Sequence, residues 1–265
     1  MHAFNYHRPS STKDAAALVG KGAEAKLLAG GQSLVQTMKL RLAAPSDLID
    51  LNAIAELKTI KSEGGAVVIG AMARHAEVAA SSEVKKAIPA LAALAGMIGD
   101  RQVRNQGTIG GSLANNDPAA DYPAAVLGLG ATVVTNKRKI AADQFFRGMF
   151  ETALEPGEII TQVSFPSPKR AAYTKFKNPA SRFAIVGVFV ADTGNGVRVA
   201  VTGAGPSVFR QADMEKALSS KFAPESVAGV KVKADGLNSD LHASAEYRAH
   251  LVTVMTKRAV EAALK

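Results

Sequence analysis

Two glycine pairs, each close to hydroxyl side chains, constrain this chain more than any other feature. The first, Ala29-Gly30-Gly31-Gln32-Ser33-Leu34, follows the short apolar run Lys26-Leu27-Leu28 and precedes Leu34, Met38 and Leu42 at near-helical intervals. That order predicts a strand, a sharp turn and a helix over 33–42. Ser11-Thr12-Lys13-Asp14 opens an earlier helix through Gly20, and Leu48 to Leu51 reads as a second strand, giving a small βαβ-like unit. Glycine at its corner lets the backbone approach a ligand, and amides at the start of a helix face an anion. The second pair lies in Gly107-Thr108-Ile109-Gly110-Gly111-Ser112, inside the stretch 99–122, which is rich in Gly, Asn, Asp and Pro and has no period. It reads as a long functional loop. Either pair alone fits an ordinary structural turn. Two such loops, each followed by a serine, suit a diphosphate bridge, whose oxygens can occupy both.

Between and beyond the loops the pattern is mixed. Leu57 to Gly70 reads as a hairpin around Gly64-Gly65, and Val84 to Ile98 as helix, kinked or divided at Pro89. A helix is predicted over 123–129, strands around an Asn136-Lys137 turn, and another helix over 143–149. Phe165-Pro166-Ser167-Pro168-Lys169-Arg170 is the best linker candidate. After it, Ile185 to Ala191 and Val197 to Val201 read as antiparallel strands, and a long helix is predicted over 244–264.

Several chemistries are excluded by what the sequence lacks. There are 0 cysteines, which removes thiolate nucleophiles, zinc ribbons and cysteine-ligated clusters carried by this chain. Neither a G-x-x-x-x-G-K-[ST] loop nor a G-x-G-x-x-G fingerprint is present. Gly110-Gly111-Ser112-Leu113-Ala114 falls one residue short of a G-x-S-x-G elbow and sits beside Asn115-Asn116-Asp117-Pro118 rather than between strand and helix. The histidines lack metal-ligand spacing. Net charge is +9, and residues 166–265 hold 15 Lys and Arg against 8 Asp and Glu. A nucleic-acid surface and a solvated or protein-docking basic face both fit that excess, but no nucleic-acid signature accompanies it. The segment Met1 to Pro9 lacks the basic start and apolar core of a leader, and no apolar run nears the roughly 18–20 residues of a membrane span. A cytoplasmic protein with no membrane span and no nucleic-acid partner is expected.

The motifs Ala29 to Leu34, Arg104-Asn105-Gln106-Gly107-Thr108-Ile109-Gly110-Gly111-Ser112-Leu113 and Asp117-Pro118-Ala119-Ala120-Asp121-Tyr122-Pro123 together resemble the FAD-binding medium subunit of the molybdenum hydroxylases, the xanthine dehydrogenase and carbon monoxide dehydrogenase family. Phe176-Lys177, Ala184 to Gly187 and Asp240 to Arg248 extend the resemblance over nearly the whole chain. It implies an α+β fold. A two-subdomain, PCMH-type FAD-binding domain would span 1–167 (subdomains about 1–55 and 56–167). A small α+β domain with an antiparallel sheet would span 168–265.

Carried over position by position, Leu28, Ala29, Gly30, Gly31, Gln32, Ser33 and Leu34, with Thr108, Ile109, Gly110, Gly111 and Ser112, would wrap the FAD diphosphate. Asp121 would bind the adenosine part; it reads equally as the N-cap of the helix that follows. Ile98 would lie near the flavin ring, with Ile160 and Lys177 completing the pocket. Gln32 stands where some relatives have histidine. His75 reads as structural, and Tyr247 and Arg248 as holding the C-terminal domain together. No metal site and no catalytic acid–base pair is expected. The implied role is electron transfer from the [2Fe–2S] clusters of a small subunit, through FAD, to an external acceptor. A molybdopterin-binding large subunit would hold the substrate, in a dimer of heterotrimers. The alternatives are a non-enzymatic nucleotide- or nucleic-acid-binding module and a stand-alone FAD oxidoreductase.

Overall fold

The computed structural model describes residues 1–265 apart from Lys21 and Ala23. Its first unit comprises β1 (Asn5–His7), α1 (Thr12–Val19), β2 (Lys26–Leu28), α2 (Leu34–Lys39) and β3 (Asp47–Asp50). Both β1 and β2 pair parallel with β3, so the strand–glycine turn–helix corner forms as expected. Ser11 caps α1 by accepting from the Asp14 amide. Ala15, Ile49, Leu51, Ile54 and Leu57 form a small core beneath this unit.

The second unit opens with the expected hairpin, β4 (Ile60–Glu63) and β5 (Ala66–Gly70). Helices α3 (His75–Ala80), α4 (Ser82–Ala87), α5 (Pro89–Gly96), α6 (Arg101–Gln106), α7 (Ile109–Asn115) and α8 (Tyr122–Gly128) follow. Pro89 separates α4 from α5 by taking the first helical turn of the latter, where its missing N–H costs nothing. Then come β6 (Thr132–Thr135), β7 (Lys139–Ala141), α9 (Ala142–Phe145), β8 (Phe146–Gly148), β9 (Glu151–Thr152) and β10 (Ile160–Pro166). Among the described residues the main sheet runs β4-β5-β10-β6-β7, with the helices packed over Val67, Ile69, Val133, Val163 and Phe165.

Three expectations are corrected here. The stretch 99–122 is largely helical: Asp100 caps α6 through the Val103 amide, and Thr108 caps α7 through the Gly111 amide. Burial of Ile109 and Leu113 then fixes a helix whose glycines read as loop. The helix over 143–149 is only the single turn α9. Beyond it Asn116, from outside the segment, donates to the carbonyls of Gly148 and Glu151 and holds it as the β8–β9 hairpin. Thirdly, Phe165 and Pro166 still pair with β5, which narrows the connection to Ser167–Lys169.

The last unit is a sheet of β11 (Arg170–Lys177), β12 (Ala184–Asp192), β13 (Val197–Thr202) and β14 (Phe209–Arg210), antiparallel throughout. Helices α10 (Ala212–Ser220) and α11 (Ala245–Ala263) cover one face around Val186, Val188, Val199, Leu251, Val252 and Met255. Strand β11 alternates between two neighbours. Thr174 donates to the Met255 carbonyl on α11 and Phe176 packs edge-on against Tyr247, whereas Tyr173 and Lys175 turn toward the second unit. Arg248, buried in α11, donates to the carbonyls of Ile185 and Gly203 and to Asp240, so it ties sheet, turn and helix together as expected.

Candidate functional site

The two glycine loops meet. A Cβ placed on Gly30 would overlap the Gln106 carbonyl, and one on Gly111 would lie 3.3 Å from Ala29 Cβ and 3.0 Å from Thr108 Oγ1. At Gly30 only hydrogen lets the two backbones come this close, and at Gly111 a Cβ would press on the Ala29 side chain. Gly31 adopts φ +74°, which turns the chain from β2 into α2.

Their hydrogen-bonding capacity differs. In the first loop, the backbone N–H groups of Gly30, Gly31, Gln32, Ser33 and Leu34 find no acceptor among the described residues. Consecutive free amides around a left-handed residue make an anion-binding concavity. In the second loop the amides are already engaged. Ile109 donates to Ala73, Gly110 to Ala71, Gly111 to Thr108 Oγ1 and Ser112 to the Thr108 carbonyl, at 2.8 to 3.1 Å. It offers close approach and the Ser112 hydroxyl, not free N–H groups. Ser33 makes no side-chain cap, so its hydroxyl is also free for a ligand.

The remaining expected residues fall into two groups. Ile160 lies in the core beside the second loop: the next residue, Thr161, accepts from Ala71, whose carbonyl accepts from Gly110. Ile98 and Asp121 lie where Lys175 of β11 meets the second unit, and Lys177 stands past a register shift at the end of β11. Asp121 does not cap α8. Its buried carboxylate accepts from the Tyr173 hydroxyl and pairs with Lys175 at 3.0 Å. Burial raises the carboxyl pKa, and Lys175 and the Tyr173 hydroxyl offset only part of that rise. Asp121 thus joins two halves of the chain. Lys177 follows Lys175 by two residues on β11, is exposed, and forms no ion pair among the described residues.

Sequence reasoning passed over Arg104, Tyr173 and Lys175. Arg104 was visible only as part of a motif; the other two carry no local signal. His75 was read as structural and is so. Its amide donates to Gly107, its ring packs 5.3 Å from that of Tyr122, and a Cβ on Gly107 would strike its Nε2. His75 Nδ1 and the Tyr122 hydroxyl are buried without partners. Burial first, and Arg104 second, hold the His75 pKa at about 4. The unfolded chain takes up this proton near the ordinary value of 6.5. Acid therefore favours unfolding between those values, and stability rises with pH across the window. The expected loss from pH 7 to pH 5 is about 2 kcal/mol from this group. Urea unfolding at both pH values checks it: a His75→Phe variant that keeps the full wild-type pH slope would assign the slope elsewhere.

The arrangement fits a dinucleotide. Free amides line one loop, and the second approaches it closely at two glycines and adds the Ser112 hydroxyl. Comparison with known proteins agrees. Residues 2–168 match the family described as FAD binding domain in molybdopterin dehydrogenase, and residues 171–263 match the CO dehydrogenase flavoprotein C-terminal domain. The carbon monoxide dehydrogenase medium chain of Hydrogenophaga pseudoflava is 38% identical, with 98% of this chain and 96% of that one covered. The nicotine 6-hydroxylase medium subunit of Paenarthrobacter nicotinovorans is also 38% identical, over 97% and 96%. A solved carbon monoxide dehydrogenase from H. pseudoflava, lacking the Mo-pyranopterin moiety, superimposes with a TM-score of 0.90 at 39% identity, over 98% and 97% of the two chains.

Proposed function

The chain belongs to the family of FAD-binding domains in molybdopterin dehydrogenases, and from that premise we propose that it holds FAD as an electron relay while a partner subunit holds the substrate. Bound FAD supplies the chemistry of accepting and releasing electrons. The chain's own residues bind and tune it. The amides from Gly30 to Leu34 take the diphosphate, with Leu28 and Ala29 leading into the turn. Thr108 to Ser112 close the other side. Ile98 flanks the flavin ring, Ile160 backs the second loop, and Lys177 favours negative charge on the reduced ring. Asp121 serves by fixing β11 against the start of α8.

The observation that carries this reading is the meeting of two glycine loops, the first with five unengaged amides among the described residues. The absence of cysteine supports the division of labour, since the cluster ligands would have to lie elsewhere. Relatives named for carbon monoxide and for nicotine match this chain almost end to end, which fits a substrate chosen on another subunit. We accordingly propose a molybdopterin-binding large subunit and a [2Fe–2S] small subunit as partners. The assembly would be a dimer of heterotrimers in the cytoplasm, with the FAD-binding part ending at residue 167. Family membership sets aside the nucleic-acid-binding and stand-alone oxidoreductase readings.

The purified chain should therefore bind FAD and yet oxidise no organic substrate. FAD titration followed by flavin fluorescence, and turnover with an artificial acceptor, measure the two halves. Failure to bind FAD would remove the cofactor role; sustained turnover without a partner would remove the division of labour.

A further inference from the structure

The turn Met97-Ile98-Gly99 at the end of α5 is held by two cations from different parts of the chain. Carbonyls at a helix C-terminus lack intrahelical partners and attract positive charge. Here Lys175 Nζ donates to the Met97 carbonyl at 3.1 Å, and Arg104 Nη1 donates to the Ile98 carbonyl at 2.9 Å. Lys175 comes from β11 of the C-terminal sheet and is also bound by Asp121, its side chain only 3% exposed. Arg104 comes from α6, which leads directly into the glycine loop at Gly107. The Arg104 side chain pairs with no carboxylate among the described residues, and its one hydrogen bond there is spent on this carbonyl. Gly99 completes the turn at φ +48°, where a Cβ would sit 2.8 Å from Val103 Cβ.

A tie between domains would need only the Lys175–Asp121 pair. Two successive carbonyls held by cations from two separate elements do something more: they fix the height and tilt of the peptide that bears Ile98. We propose that Arg104 and Lys175 are positioning residues that clamp this turn and thereby set where Ile98 meets the flavin ring. The inference rests on the FAD site proposed above.

Three variants of the full-length chain, each loaded with FAD, test it. Lys175→Met with Asp121→Asn removes the buried pair without changing net charge, which excludes a simple charge effect on the flavin. Arg104→Gln removes the other arm, and Arg104→Lys returns a cation. Far-UV circular dichroism establishes that each folds; Arg104 is only half-buried, so its variants keep the question open if the double variant does not fold. FAD affinity should stay within about threefold of wild type in the two Arg104 variants, because the diphosphate loops are untouched. The visible circular dichroism of the bound flavin should change in the double variant and in Arg104→Gln, and return toward wild type in Arg104→Lys. An unchanged visible spectrum in the folded variants overturns the clamp. So does a loss of affinity of about a hundredfold or more in Arg104→Gln, which would make the turn part of the binding site rather than a support for it. If the wild-type chain itself fails to bind FAD, the cofactor reading fails, and that outcome is separable from either result on the variants.

Discussion

Gly30→Val is expected to remove FAD binding while leaving the bulk of the fold in place. The new Cβ would overlap the Gln106 carbonyl, which belongs to backbone and cannot rotate away. The loop must therefore lift from the α6–α7 junction. Its amides, the free donors of the site, lift with it. Hydrogen bonds to a charged acceptor are worth roughly 1.5–3 kcal/mol each. Losing two lowers affinity by about two to four decades, since ~1.4 kcal/mol is tenfold. The strands β2 and β3 pair at positions ahead of the turn, so the parallel sheet survives. Fluorescence titration of the folded variant is decisive. Wild-type affinity would take this loop out of the site.

The largest stability effect should come from Arg248→Met. Methionine keeps much of the aliphatic packing inside α11 but donates nothing. The Ile185 carbonyl then loses its side-chain donor and the Gly203 carbonyl keeps only the long bond from Asn238 Nδ2 at 3.4 Å, and each poorly satisfied buried polar group costs ~1–3 kcal/mol. Asp240 loses its partner too, but its side chain is half exposed, so water replaces most of that contact. A loss of about 3–5 kcal/mol in urea unfolding of the C-terminal sheet and helices is expected. A change below about 1 kcal/mol would show that the guanidinium is dispensable to this unit.

What could be read from the sequence was what local chemistry dictates. The strand–glycine–helix corner at Gly30-Gly31, the hairpin at Gly64-Gly65 and the break at Pro89 each follow from residues that punctuate a chain wherever they stand. Helices α6 and α7 were hidden because glycine and asparagine depress helical propensity, while the caps that rescue them, Asp100 and Thr108, are single residues. The division of roles between the loops was hidden for another reason. The acceptors that occupy the Ile109 and Gly110 amides, Ala73 and Ala71, are backbone carbonyls more than thirty residues away, and alanine gives no hint of them. Asp121 shows the same limit. A carboxylate ahead of a proline-led helix reads as a cap, and only the fold reveals Lys175 and Tyr173, over fifty residues later, as its partners.

That partnership limits how the two halves of the chain can be exchanged. A chimera joined at Ser167–Lys169, taking its front from this chain and its rear from a relative, inherits Asp121 from one parent and its counter-ion from the other. If the donor strand places no cation at the position of Lys175, the graft buries an unpaired carboxylate at the seam, at a cost of about 3–5 kcal/mol. If it slips by a single residue, every side chain of the strand changes face and the cation ends up against the long terminal helix. Aspartate, tyrosine and lysine must therefore travel as one unit of inheritance, although the family boundary runs between them.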